Sequence, residues 1–346
     1  MAPIVYLLSK ILSLYPDIIE KYYSNVLNEF FRKAVSKFWG LVSFSAAEII
    51  VIAMFLALVI GIIIMLIKIK TGGAIEQLLN VTMYLSILYI LFMVSWGFNY
   101  QRLSFDKISG LKIEKESKEQ LYKLCDELIT KANALRSGLD ENSQGVMIEK
   151  NGYKDVFRRE KEGYANVAVK YKELGGNYGI PKPILLSKYL CYTGITGIYI
   201  PYTSEANVNI NIQDYMLPCT TAHEMAHQRG FAREDEANYI AYLACINSPY
   251  QDFQYSGVML AAISSMNQLS NVDYKAYEEL HDKYSSAVKR DILADNLFWE
   301  KYKGNVEKIS NNINNSYLKT NGQSDGTRSY GRMVDLLLAE YLKEKY

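Results

Sequence analysis

The sequence predicts an α+β protein that is predominantly helical, with a hairpin of two membrane-crossing helices ahead of a soluble domain that carries a small sheet. Three observations predict it. Residues 49–67 are uncharged and almost continuously aliphatic, and a second apolar run covers 78–98. Beyond residue 112 most stretches repeat apolar side chains at helical spacing, interrupted by short β-like runs between Ile184 and Ile212. Inside that region, residues 221–245 contain His223-Glu224-x-x-His227, two imidazoles four positions apart.

The elements follow in order, with residues 1–112 as the membrane region and 113–346 as the soluble domain. Residues 2–15 are apolar but interrupted by Lys10, too short to cross a bilayer unaided, and end at Pro16. They lack a small-residue cleavage site, so a removable signal peptide is not expected. Residues 17–39 place Ile18, Tyr22, Phe30 and Phe38 among charges at helical spacing, which predicts an amphipathic helix on the membrane surface or on the soluble domain. The run 49–67 ends at Lys68 and Lys70, Thr71-Gly72-Gly73 makes the turn, and Trp96, Tyr100 and Arg102 anchor the end of the second span at the interface.

Residues 113–136 and 153–174 are predicted helices around a polar loop, and 175–183 is a glycine- and proline-rich break. Ile184–Ser187 and Ile198–Pro201 have β character, and residues 205–212 alternate polar and apolar as an edge or half-buried strand does. After Cys245 the pattern is helical to residue 346, with 259–269 as an apolar helix beneath the histidines. His281, among Glu278, Glu279 and Asp282, belongs to a solvated face.

Composition narrows the function classes. A net charge of +1 gives no electrostatic footprint for nucleic acid, so none is expected as a partner. The 4 cysteines have no C-x-x-C spacing and are expected as free thiols rather than a disulfide framework. Apart from terminal positions the spans carry no ionisable residues, which argues against a transport path.

On a helix, positions i and i+4 share a face, so His223 and His227 can reach one cation, and Glu224 beside them can act on a zinc-bound water as general base. A catalytic zinc needs a third protein ligand. Gly230 is a natural helix stop, and a new helix from near Arg233 puts Glu234 and Asn238 on one face while Glu236 points about 200° away from Glu234. Glu234 is therefore the expected third ligand of one Zn²⁺ ion, and Asn238 the residue that fixes the far nitrogen of a ligand histidine. A hydrolase of this kind also needs an oxyanion donor, for which Tyr330 and Arg332 in the polar, glycine-rich segment 317–332 are the candidates.

His223 to His227 followed by Glu234-x-x-Ala237-Asn238 resembles the Glu-zincin branch of metallopeptidases. Blocks at 15–24, 96–102, 192–199, 223–233 and 329–335 resemble more closely an uncharacterised bacterial membrane family, domain of unknown function 3810. The resemblance implies a zincin-like metallopeptidase domain and a peptide or protein substrate. It also implies that the strand ahead of the histidine helix lies along the cleft, with Ile198, Tyr199, Ile200, Asn207 and Asn209 as substrate-binding candidates. In the similar family a complete N-terminal span precedes the 15–24 block; here it is abbreviated.

The functional expectation is a multi-pass, cell-membrane zinc metallohydrolase whose partners are the lipid bilayer and a peptide. The alternative is an inactive zinc-binding sensor or scaffold. Positive residues near the spans favour a cytoplasmic soluble domain, whereas the family's more basic inter-span loop implies an extracytoplasmic one, which is the expectation adopted.

Overall fold

The computed structural model describes residues 1–114 and 117–345; Lys115, Glu116 and Tyr346, at the margins of two expected helices, lie outside the described residues. Two helices among these are long and apolar enough to cross a membrane, Ala46–Thr71 and Ala74–Ser95. At 1.5 Å per residue the 26 residues of the first span about 39 Å, more than the roughly 30 Å of bilayer hydrocarbon. Gly72 and Gly73, with φ of +88° and +87°, make the turn between them. The tie across the hairpin is local: Tyr84 Oη donates to the Met54 carbonyl at 2.9 Å, while most aliphatic side chains point outward.

The second helix stops at Ser95, short of the expected 98. Trp96 leaves helical geometry (φ −147°) and Gly97–Gln101 form a 3-10 turn. The aromatic residues of that turn are drawn into the soluble domain, where Trp96 and Tyr100 are 4% and 5% exposed. Tertiary packing thus overrides a hydrophobic run that would otherwise continue the helix.

Ala2–Leu12 forms a helix bent by 105° from the helical segment Pro16–Trp39, whose stretch Ile19–Leu27 is wound as π-helix. The amphipathic pattern of 17–39 is present, but its faces are reversed relative to a surface helix of a soluble domain. Ser24, Asn28, Arg32 and Ser36 form the buried stripe, while Tyr22, Val26, Phe30 and Phe38 face outward. The buried polar groups are hydrogen-bonded, as burial requires. Asn28 donates to the Ser95 carbonyl at 2.7 Å, Arg32 Nε to Asn28 Oδ1 at 2.6 Å, and Arg32 Nη1 to the Gln228 carbonyl at 2.8 Å. The segment Pro16–Trp39 is thereby fastened to the end of the histidine helix.

The sheet has three strands, β1 (Lys182–Pro183), β2 (Gly197–Ile200) and β3 (Glu205–Val208), in the order β1-β3-β2. β1 runs parallel to β3, and β2 pairs antiparallel to it with Ile198 opposite Asn207. Two expectations need correction. The β character of Ile184–Ser187 does not become strand; pairing stops at Pro183 and the chain turns into the short helix Ser187–Leu190. The alternating segment 205–212 is neither edge nor half-buried: its strand portion is central, and all four residues are buried. The polar positions are satisfied internally. Glu205 accepts the backbone N–H of Ala47 at 2.6 Å, capping the first apolar helix, and Asn207 Oδ1 accepts Ser45 Oγ at 2.6 Å.

The remaining helices enclose the main hydrophobic core, with smaller clusters around Phe253 and around Trp96. Gln251–Val272 crosses beneath the histidine region and buries Met259, Ala262, Met266 and Leu269, as the apolar run predicted. Lys118–Arg136 starts at a capping box between Ser117 and Gln120, later than the predicted residue 113, because that reciprocal pair satisfies the first free N–H groups. All four cysteines are free and buried.

One core group has a measurable pH consequence. Glu160 is fully buried and neither carboxyl oxygen has a hydrogen-bond partner among the described residues. Burial lifts its pKa well above the ordinary 4.5, against the opposing charges of Arg229 and Arg159. A carboxyl raised on folding gives stability that is complete below the unfolded value and fades as pH climbs from there toward the folded value. Glu160→Gln should therefore gain on wild type as pH rises above the ordinary carboxyl value, read as a widening Tm difference; a constant difference would mean Glu160 is ionised in the fold.

Candidate metal centre

The histidines lie on the helix Leu217–Gln228 and the third ligand candidate on the helix Glu234–Ile246. Gly230, at φ +86°, ends the first helix, and the extended Arg233 starts the second. Ala237 and Ala241 are fully buried, which lets the two helices approach closely. Glu234 therefore projects from a first turn directly onto the His223/His227 face.

The result is a convergent triad. His223 Nε2 lies 3.2 Å and His227 Nε2 3.4 Å from Glu234 Oε2, and donor atoms of all three residues fall within 4.8 Å of one another. The opposite ring nitrogens are engaged. His223 Nδ1 is 2.7 Å from Asn238 Oδ1, and His227 Nδ1 is 2.7 Å from the Phe231 carbonyl. Asn238 donates its amide to the Tyr330 carbonyl at 3.2 Å, so its oxygen faces the histidine. Both partners are acceptors, which places a proton on each Nδ1 and turns each Nε2 toward Glu234. Glu236, excluded by helical geometry, is turned away and accepts the Phe105 backbone N–H at 2.9 Å.

Glu224 stands beside the triad, 4% exposed, and takes the Tyr199 backbone N–H of β2. Burial raises its pKa to about 7, against the pull of the two histidines. Burial lowers His227, but the Glu234 charge outweighs it and holds the imidazole up at about 9. Burial likewise pushes Glu234 up, and the histidines reverse this, holding it far below the usual carboxylate range. Glu224 Oε2 is buried without a hydrogen-bond partner among the described residues, whereas Glu234 Oε2 faces both histidines.

The other predicted residues divide. The Tyr330 ring stacks on His223 at 6.4 Å with an interplanar angle of 19°, and its hydroxyl lies 3.5 Å from Asn314 Nδ2. Burial and the nearby Glu234 charge both raise its pKa well above 10, so it stays a hydroxyl donor. Arg332 does not reach the triad: its guanidinium pairs with Asp235 at 3.4 Å and Asp325 at 3.3 Å. Ile198, Tyr199 and Ile200 lie on the sheet's β2 edge beside Glu224, with the Ile198 side chain exposed. Asn207 and Asn209 are turned inward, donating to the carbonyls of Ile198 at 3.2 Å and Ile195 at 3.1 Å. They line no cleft, because their amides hold the strand and its flanking loop together.

A family described as "Protein of unknown function (DUF3810)" matches residues 23–338, most of the chain. The chain belongs to this DUF3810 family. No curated protein and no solved structure matches it.

In this DUF3810 protein several neighbours of the triad went unrecognised in the sequence. The Trp96 ring lies 5.7 Å from that of His227 and 4.7 Å from that of Tyr199. Tyr100 Oη and Tyr317 Oη are 2.9 Å apart, and the Glu234 charge acts on both phenols. Gln323 Oε1 accepts the Glu234 backbone N–H at 3.1 Å, capping that helix. The one available signal was position: Trp96 follows directly on the second apolar helix.

Gly197 sets the seat of Glu224. A Cβ there would lie 2.6 Å from Glu224 Cγ and overlap its carboxylate. Gly197→Ala should displace the Glu224 side chain while the His223/His227/Glu234 triad keeps its shape. Zinc content by elemental analysis should be unchanged while any metal-dependent turnover falls roughly 100-fold, as a 1 Å misplacement can cause. Unchanged turnover would mean that Glu224 does not need this position.

Proposed function

We propose that this DUF3810 protein is a multi-pass membrane zinc metallohydrolase with a zincin-like domain, acting on peptide or protein substrates. The observation that carries the reading is the triad: two Nε2 atoms and a carboxylate oxygen converging on one point, with both rings held from behind through Nδ1. The donor set suits zinc, since two histidines and one glutamate are a known catalytic combination, and beside it the buried Glu224 Oε2 has no hydrogen-bond partner among the described residues. When bound, zinc supplies Lewis acidity and lowers the pKa of a coordinated water toward about 7. His223, His227 and Glu234 would hold it, leaving Glu224 to take a proton and pass it to the leaving group. Tyr330 would donate to the oxygen on which charge develops.

Bilayer anchoring is supported by the two long apolar helices and by the outward apolar face of residues 17–39, which water would not favour. Lys68 and Lys70 at the hairpin tip are outnumbered by Arg32, Lys33, Lys37, Arg102, Lys107 and Lys112 at the other ends of the spans, so a soluble domain outside the cytoplasm rests on the more basic inter-span loop of the resembling family. Protease protection in oriented vesicles tests that orientation, and cleavage of the soluble domain only from the cytoplasmic side would reverse it.

The activity test uses the full-length protein in detergent with added zinc and a quenched fluorescent casein. Wild type should cleave it, a zinc chelator should stop cleavage, and Glu224→Gln should keep its zinc but lose about 10²–10⁴-fold in rate. Full turnover in Glu224→Gln would remove the base assignment. Zinc-loaded wild type that cuts neither casein nor a broad peptide library would leave a zinc-binding sensor or scaffold.

A further inference from the structure

A cavity of about 640 Å³ opens where the N-terminal helix, the end of the second apolar helix and the helix Asn305–Thr320 meet. Its size lies within the roughly 300–1,000 Å³ of ordinary small-molecule sites. Tyr89, Phe92 and Met93, in the last two turns of the apolar helix, form one wall. Lys10 is the one charged residue among the described residues lining it; its ammonium lies 5.3 Å from the Tyr6 ring centroid, and no carboxylate borders the space. The lining hydroxyls of Ser9, Ser13, Ser316 and Thr320 donate to carbonyls of their own helices, and the side-chain amides of Gln101 and Asn321 stand at the same rim. The helix that carries Lys10 also turns Ile4, Leu7 and Ile11 outward, continuing the apolar surface of its neighbour. A cleft with one cation, no carboxylate in its lining and an apolar wall suits an amphiphile with an anionic head.

We propose that this cleft seats an anionic phospholipid of the surrounding bilayer, its phosphate against Lys10 and its first acyl carbons along Phe92 and Met93. The assignment rests on the membrane reading above. It has a bearing on the metal centre because Tyr317 is the shared wall: it lines the cavity, lies 6.3 Å from the Phe92 ring, and pairs with Tyr100 beside Glu234. A lipid held here is separated from the candidate metal centre by one layer of tyrosine side chains.

The test is native mass spectrometry of the full-length protein in detergent with equal amounts of phosphatidylglycerol and phosphatidylcholine. Wild type should retain phosphatidylglycerol about fivefold over phosphatidylcholine, and Lys10→Met and Lys10→Glu, each checked for an unchanged Tm, should lose the preference. Equal retention of the two lipids by wild type, or a preference undiminished in both variants, overturns the assignment. So does release of the lipid by millimolar inorganic phosphate, which would make this a phosphate site. Flotation with phosphatidylglycerol vesicles separates the two readings. Protein that fails to float sinks the membrane reading itself, whereas floating protein without lipid preference sinks the cleft assignment alone.

Discussion

Wild-type protein purified without chelator should carry one zinc ion per chain, and His223→Ala, His227→Ala and Glu234→Ala should each lose it. All three donors sit within 4.8 Å of one another, so removal of any one leaves two ligands where zinc needs three. Asn238→Ala should behave differently. It removes the acceptor that holds His223 Nδ1, which frees the ring to rotate or change tautomer, and should weaken zinc by about 10–100-fold without abolishing binding. Glu224→Gln, outside the triad, should retain a full equivalent. The same series is readable as stability. Zinc at about a thousand times its Kd adds about 4 kcal/mol to the folded state, a Tm gain that the three ligand variants should lack. Glu234→Ala protein holding a full equivalent of zinc would show that this carboxylate is not a ligand, and the proposed hydrolase would lose its basis.

What the sequence disclosed about this centre came from local geometry. His223 and His227 are four residues apart, and Glu234 and Asn238 are four residues apart after a glycine stop; helical periodicity alone brings each pair to one face. The residues it hid are joined over long distances in the chain. Tyr100 and Tyr317 are 217 positions apart, and no period links them. Trp96 was legible only as an interfacial anchor, and its second contact, with His227, depends on how the soluble domain closes over the hairpin. The helix 17–39 shows a different limit. Periodicity established that it has two faces, but burial of the polar one follows from what lies on each side, and composition carries no such information. Asn207 and Asn209 fail for a related reason: polar alternation looks the same whether the polar side meets water or a set of carbonyls.

Arg102→Met should cost about 3–5 kcal/mol in unfolding free energy, because it strands a buried carboxylate. Arg102 is 1% exposed and grips Glu20 through two bonds, Nε to Oε2 at 2.9 Å and Nη2 to Oε1 at 2.6 Å. Its guanidinium also lies 4.0 Å from the Phe231 ring centroid, so the pair ties the segment Pro16–Trp39 to the loop between the helices Leu217–Gln228 and Glu234–Ile246. The double variant Glu20→Met/Arg102→Met should recover most of the loss, since an apolar replacement removes the desolvation cost of both charges. Zinc affinity gives an independent reading. The Phe231 carbonyl holds His227 Nδ1, so if the guanidinium steadies that loop, Arg102→Met should weaken zinc by about tenfold and the double variant should not restore it. Stability recovered with zinc affinity still low would separate the two duties of Arg102, one toward Glu20 and one toward Phe231. A single variant costing less than about 1 kcal/mol would mean that Glu20 finds water or another partner, as a surface pair does. The buried tie between the segment Pro16–Trp39 and the candidate metal centre would then have no energetic weight.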